Sequence, residues 1–211
     1  MRRLTVDPDA PATPALDAAA AVLRAGQVIA IPTDTLYGLA ADPFSREAVS
    51  RVFAIKDRAH ERALPLIAAE TSQVAAWLGD LPPLAARLAR RFWPGPLTLL
   101  VPAPAALAPD VSGGTGRVGV RVPNHTVARA LCRVAGRPLT ATSANPSGAP
   151  ATADPDEVAR TLGGRVALLV DAGPTAGGPP STIVDATGGA PLLVRAGAVP
   201  WDEVRACAAG A

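Results

Sequence analysis

Short apolar runs rich in β-branched residues alternate with helix-patterned segments along the whole chain, with no break in composition between them. That alternation restricts the fold to the α/β class: one domain with a twisted, mixed, open sheet and flanking helices. Strands are expected over residues 27–31, 64–68, 97–101, 117–122, 138–142, 166–170, 182–185 and 192–195. Helices are expected over 16–24 with Gly26 as the stop, and from the Ser45 cap to about Ile55. Others start at Thr71, at Pro82-Pro83, at Asn124 (to about Val134), at Asp154 and near Asp202. Asp154-Pro155-Asp156-Glu157 offers a cap, a proline at the first position and acids in the first turn. Residues 1–13 are read as a loose arm and 14–211 as the domain. There is no internal repeat, and the Gly- and Pro-rich stretches 102–116 and 173–180 are expected to be mobile enough to gate a site.

Composition narrows the class of function. Hydrophobic residues make up 49% but aromatics only 3%, so the core should be aliphatic. A formal charge of +2 is too weak to argue for nucleic acid and suits anionic small molecules equally. Cys132 and Cys207 are isolated, and His60 and His125 have no ligand constellation around them. A disulfide framework and a histidine-based metal site are therefore not expected. Residues 92–109 carry no charge, but Pro94, Pro96, Pro102, Pro104 and Pro109 rule out a membrane-spanning helix there. Met1-Arg2-Arg3 is followed by acids and prolines where a signal peptide needs an apolar run. The chain reads as cytoplasmic, with no membrane partner.

Of twenty basic residues only Lys56 is lysine. An ammonium is a compact, strongly hydrated point charge on a flexible stem, which a guanidinium is not. Lys56 opens the run Lys56-Asp57-Arg58-Ala59-His60-Glu61-Arg62, three cations in seven residues. A solvated helix end accounts for such a run as well as a site does. Three further polar clusters stand at expected strand ends: Pro32-Thr33-Asp34-Thr35-Leu36-Tyr37-Gly38, Thr142-Ser143-Ala144-Asn145-Pro146-Ser147-Gly148, and Pro180-Ser181-Thr182. Each alone is an ordinary turn. Together they stand where open α/β sheets bind ligands. Three cations in one cleft would favour a polyanion such as a triphosphate.

These segments resemble the YrdC/TsaC family of threonylcarbamoyl-AMP synthases, over about residues 18–195. The family's Lys-x-Arg followed by a distant Ser-x-Asn is met by Lys56, Arg58, Ser143 and Asn145. Supporting blocks are the 32–38 segment, Trp93-Pro94-Gly95-Pro96-Leu97-Thr98, Val120-Arg121-Val122-Pro123, and 180–185 with Arg195. The resemblance implies a YrdC-like domain that joins L-threonine, bicarbonate and ATP into threonylcarbamoyl-AMP and pyrophosphate. That product feeds a downstream threonylcarbamoyl-transferase machinery, which modifies adenosine 37 of tRNA.

By position, the resemblance implies that Lys56, Arg58 and Arg62 line the triphosphate. Ser143 and Asn145 would hydrogen-bond it, Arg195 would lie against the nucleotide, and Arg117 and Ala151 would touch ATP. Thr35, Arg121, Ser181 and the Ala141 backbone would hold threonine, with Arg121 pairing its carboxylate. Lys56 and Arg58 would act electrostatically, with no covalent nucleophile. Magnesium would accompany ATP, held by phosphates and water. Three residues depart from the family pattern: Ala59 replaces a common proline, Ile67 stands where longer relatives have a threonine-contacting histidine, and Ala151 replaces a serine. The chain stops at Ala211, before the extra C-terminal domain of longer relatives, so either closure of the nucleotide pocket comes from elsewhere or the pocket stays more open.

Two other readings fit the same features. One is a module of the same fold that binds tRNA or double-stranded RNA through its basic cleft and turns nothing over. The scarcity of aromatics for base stacking weighs against it. The other is a sugar-phosphate enzyme on the related dihydroxybutanone-phosphate synthase-like fold. Such chemistry needs several acidic metal ligands, and only Asp34 and Asp42 lie near the first loop.

Overall fold

Local chemistry sets the helix starts. The Ser45 hydroxyl accepts from the Ala48 N–H and opens α2 (Arg46–Lys56). Asp154 accepts from the Asp156 N–H and opens α6 (Pro155–Leu162), whose first-position proline has no N–H to leave unpaired. The other helices are α1 (Thr13–Arg24), α3 (Thr71–Leu78), α4 (Pro83–Phe92), α5 (Thr126–Ala135) and α7 (Trp201–Ala209). The computed structural model describes residues 1–57 and 63–210.

The strands divide between two mixed sheets rather than forming one. The five-stranded sheet runs in the order β1 (Arg2–Thr5), β9 (Leu168–Asp171), β2 (Ile29–Ile31), β3 (Gly38–Ala40) and β8 (Thr142–Ser143). In it β9 is parallel to both neighbours and the other pairs are antiparallel. The six-stranded sheet runs β11 (Leu192–Arg195), β10 (Thr182–Asp185), β5 (Leu97–Pro102), β6 (Arg117–Arg121), β4 (Leu66–Ile67) and β7 (Leu139–Thr140). Its β10–β5 and β4–β6 pairs are parallel. The expected single strand over 138–142 is in fact β7 and β8, one in each sheet, and the chain crosses between them at Ala141. Gly38 permits that crossing, since a side chain there would press within 3.3 Å of the Thr142 carbonyl oxygen.

One apolar cluster joins residues of both sheets (Leu39, Leu97, Leu99, Val118, Val120) to α2, α3, α4, α6 and α7. A second packs Ile29, Ile31, Leu168 and Val170 against α1 and α5. Burying each such side chain contributes about 1.5–3 kcal/mol.

Two segments expected to be loose are tied down. Within residues 1–13, β1 pairs with β9 through Arg2–Thr5, Val6 is buried, and Arg3 bridges Asp171 and Asp156. The reason is that β9 would otherwise expose a hydrogen-bonding edge. The 102–116 connection buries Leu107 and Val111 and includes a 3-10 turn at Pro109–Ser112. It is pinned by Leu64 N–H to Val111 O and Ala108 N–H to Pro43 O.

Candidate active site

Period-two alternation in the six-stranded sheet builds the site. Leu97, Leu99, Val101, Val118, Val120 and Val184 turn into the apolar cluster. Thr98, Leu100, Gly119, Arg121 and Ile183 are therefore left on the opposite face, where they line a cavity of about 560 Å³. That volume is in the range of small-molecule sites, roughly 300–1,000 Å³. The opposing wall is Thr33, Thr35 and Tyr37 from the β2–β3 connection and Gly38 at the start of β3, with Ala141 to Ser143 from the crossing between sheets. Pro180, Ser181 and Arg195 complete it. Gly119 keeps the floor open, because a Cβ there would meet Thr98 Cγ2 at 3.1 Å and Leu100 Cδ2 at 3.4 Å.

Two guanidinium groups share the cavity. Arg121 Nη1 donates to Asp34 Oδ1 at 2.6 Å, and its Nη2 donates to Thr33 Oγ1 at 3.3 Å. Burial pulls the Arg121 guanidinium below its usual range, and the Asp34 charge opposes that shift. Arg195 Nη2 donates to the Ser181 carbonyl at 2.6 Å and to Ser181 Oγ at 3.1 Å. Its guanidinium is also lowered, first by burial and then by the like charge of Arg121. Two cations that disfavour each other across one cavity make it receptive to an anion. Ser181 Oγ and Thr98 Oγ1 share a hydrogen bond of 2.8 Å, which orients both hydroxyls.

Beside this cavity lies a second assembly, built on Lys56. The side chain is buried, with 3% of its surface exposed. Nζ donates to Ser143 O at 2.6 Å, Asn145 O at 2.9 Å and Asn145 Oδ1 at 3.1 Å. An ammonium has three N–H donors, and these three oxygens are the nearest within their reach, with Ser143 Oγ a fourth at 3.4 Å. The Ser147 N–H returns a bond to Lys56 O at 2.9 Å, and Asn145 Nδ2 donates to Ala149 O. At the helix exit Asp57 takes the left-handed conformation (φ 48°), while Arg165 donates to Ile55 O at 3.0 Å and Asp57 Oδ2 at 2.7 Å.

The Sua5_yciO_yrdC family model, described as "Telomere recombination", matches residues 21–197. The chain belongs to the Sua5/YciO/YrdC family. A relative named threonylcarbamoyl-AMP synthase from Bacillus subtilis is 40% identical over 194 residues, 92% of this chain and 56% of its own length. The chain thus spans about half of that relative. One of the same name from Alkalilimnicola ehrlichii is 42% identical over 183 residues, 84% of this chain and 93% of its own length. The crystal structure of P. abyssi Sua5 complexed with L-threonine superposes with a TM-score of 0.93 at 34% identity, over 98% of this chain and 61% of that one.

Lys56, Ser143 and Asn145, the latter two 87 and 89 positions further along the chain, come together as one hydrogen-bonded unit. Ser143, Ala151, Thr35, Ala141, Arg121, Ser181 and Arg195 all line the cavity, as does Ile67. Lys56 and Asn145 stand behind Ser143 rather than on the lining. Arg117 is not among the lining residues; it is ion-paired with Asp185, on the same face of the sheet as Gly119, Arg121 and Ile183. Arg58 and Arg62 lie outside the described residues.

Sequence reasoning missed Thr33, Thr98, Leu100 and Gly119 as lining residues. For Thr98 and Gly119 the signal was the alternation within 97–101 and 117–122, where a polar and a small residue break otherwise apolar strands. It also missed the strap that ties the 173–180 stretch to the cavity wall. Tyr37 donates to Gly173 O at 2.7 Å, and Thr35 O accepts from Thr175 Oγ1 at 2.8 Å and the Gly177 N–H at 2.9 Å.

Proposed function

We propose that this chain makes threonylcarbamoyl-AMP from L-threonine, bicarbonate and ATP, releasing pyrophosphate. The observation that carries the proposal is one cavity holding Arg121, Arg195, Thr35 and Ser181 beside the Lys56-braced Ser143–Asn145 loop. A bidentate guanidinium suits the threonine carboxylate, so Arg121 is its partner. Ser181, aligned by Thr98, and Thr35 face the hydroxyl and amine, and the Ala141 backbone supplies a further contact.

The threonine amine adds to bicarbonate, losing water, to give a carbamate. A carbamate oxygen then attacks the α-phosphorus of ATP, and the bond to pyrophosphate breaks. No protein nucleophile is required. The residues would hold two anions within reach and offset the charge that develops on the leaving group. Ser143 and Arg195 are the described candidates on the nucleotide side, with Ala151 as a backbone contact. Arg58 and Arg62 are proposed for the phosphates on sequence alone. Lys56 and Asn145 would shape the loop that receives them, and Arg117 would contribute only after leaving Asp185.

Magnesium fits as a companion of the triphosphate. Asp34 is engaged by Arg121 and Asn124, and Asp185 by Arg117 and Thr187. Among the described residues no group of three His, Cys, Asp or Glu is placed to hold a metal. The ion would therefore be held by phosphates and water and would help neutralise the departing pyrophosphate. A transferase acting on tRNA is the proposed consumer of the adenylate, and the cytoplasm the proposed location. Among the described residues no helix is long and apolar enough to cross a membrane. An RNA-binding role is not favoured: among the described residues Tyr37 is the one aromatic on the cavity, and its hydroxyl is engaged. Mass spectrometry of a reaction holding ATP, threonine and labelled bicarbonate tests the proposal. It should find a threonylcarbamoyl adenylate carrying the label; AMP or ADP alone would reject it.

A further inference from the structure

Arg121 does not stand alone in the cavity wall, and the residue behind it is not a cavity residue. Asp34 is absent from the lining, although both its neighbours in sequence, Thr33 and Thr35, belong to it. Its side chain and that of Arg121 are each only 8% exposed. Both carboxylate oxygens are engaged from different segments: Oδ1 accepts from Arg121 Nη1 at 2.6 Å, and Oδ2 from the Asn124 N–H at 3.0 Å. Asn124 follows β6, the strand that carries Arg121, while Asp34 belongs to the β2–β3 connection of the other sheet. The carboxylate therefore ties the two sheets together at the rear of the cavity.

We propose that Asp34 is a positioning residue for amino-acid capture, acting through Arg121 and touching no substrate. The inference rests on the threonine site proposed above. Three physical points support it. A buried guanidinium without a partner is costly, so Arg121 would swing toward water or toward the Ser181 carbonyl if the carboxylate were removed. Engagement of one Nη by Asp34 and the other by Thr33 fixes the plane of the fork, and only a fixed plane presents parallel N–H donors to a carboxylate. Finally, the Asn124 N–H fixes the far oxygen of Asp34, so the carboxylate cannot rotate to follow a displaced arginine.

The nucleotide side gives the internal control. Lys56, Ser143 and Asn145 form their own hydrogen-bonded unit, and none of its bonds involves Asp34 or Arg121. A loss that acts through Arg121 should fall on one substrate; a general loosening of the fold should fall on both.

The test measures pyrophosphate release by the wild type, Asp34→Asn and Asp34→Glu while threonine and ATP are varied in turn. Asp34→Asn should raise KM for threonine at least about tenfold, with KM for ATP within about twofold and kcat at saturating threonine nearly unchanged. Asp34→Glu keeps the charge and hence the fold, but displaces the guanidinium by one methylene, so it decides the matter if the asparagine variant is not recovered folded. It should raise KM for threonine several-fold and leave that for ATP unmoved. An unchanged threonine KM in Asp34→Glu would overturn the inference, as would equal rises in both KM values. A wild type that shows no threonine-dependent turnover would instead overturn the underlying threonine site, and that result appears before any substitution is made.

Discussion

Lys56 Nζ lies 2.6 Å from the carbonyl oxygen of Ser143, a residue 87 positions further along the chain. The only lysine in the sequence is thus a brace for the loop that follows β8 before it is anything else. Lys56→Met should leave the Ser143 and Asn145 oxygens buried without that donor and lower stability by about 3 kcal/mol, read from urea unfolding. Lys56→Arg should not rescue the loop, because a planar fork cannot meet three oxygens gathered around a point. Both variants should raise KM for ATP more than KM for threonine. Unchanged stability in Lys56→Met would mean that the contacts to the loop are dispensable.

Gly119 offers a second test, this time of the cavity rather than its brace. An added methyl would stand 3.1 Å from Thr98 Cγ2 and 3.4 Å from Leu100 Cδ2, both cavity residues. Gly119→Ala should therefore cost little stability, about 1 kcal/mol or less, since the side chains can give toward open space. It should still reduce threonine affinity at least about tenfold by narrowing the floor. Calorimetric titration with threonine, alongside a melting curve, separates the two effects.

The Thr98–Ser181 hydroxyl pair, 2.8 Å apart, predicts coupling. Thr98→Val leaves Ser181 with a lost partner, and Ser181→Ala leaves both Thr98 and one Arg195 contact unmet. Each single change should lower stability by about 1–2 kcal/mol. A double-mutant cycle should return an interaction energy of about 1 kcal/mol, and additivity would show that the pair does not act together.

Much of this was legible in the sequence because it depends on local rules. Ser45 and Asp154 announced α2 and α6, and Val184 and Leu97 fell in runs that could only be buried strands. Other features required distances that no local pattern carries. Residues 138–142 look like one strand, yet Leu139 and Thr142 belong to different sheets, because Leu139 pairs with Ile67 and Thr142 with Leu39. Asp34 read as a turn residue, and its partner Arg121 lies 87 positions away. The sequence singles out Lys56, Ser143 and Asn145 as residues, but the burial of Lys56 and its role as a brace depend on carbonyl oxygens, which every residue has and no motif reveals. The loose arm failed for a similar reason: Arg2–Thr5 is a strand only because β9 has an edge to cover.

Alkaline pH should weaken the fold through two buried groups. Burial raises the Tyr37 hydroxyl from 10.0 to about 12 and the Cys132 thiol from 9.0 to about 12. Between each pair of values the unfolded chain has lost a proton that the folded chain retains, so stability falls as pH rises through that window. Cys132→Ala should flatten the fall from about pH 9 upward, and Tyr37→Phe the part above about pH 10. Melting temperatures from pH 8 to 11 check both slopes.

In the acid direction His125 acts with the opposite sign. Burial lowers its imidazole below the ordinary 6.5, with Asp34 pulling the other way. The unfolded chain takes up a proton first as pH falls through 6.5, so stability declines there, and His125→Gln should reduce that slope.

The most direct test of the whole account is pyrophosphate release with ATP, threonine and bicarbonate each omitted in turn. Release should occur only when all three are present, and should collapse in Arg121→Gln. Release that continues without threonine, or survives the loss of Arg121 undiminished, would contradict it.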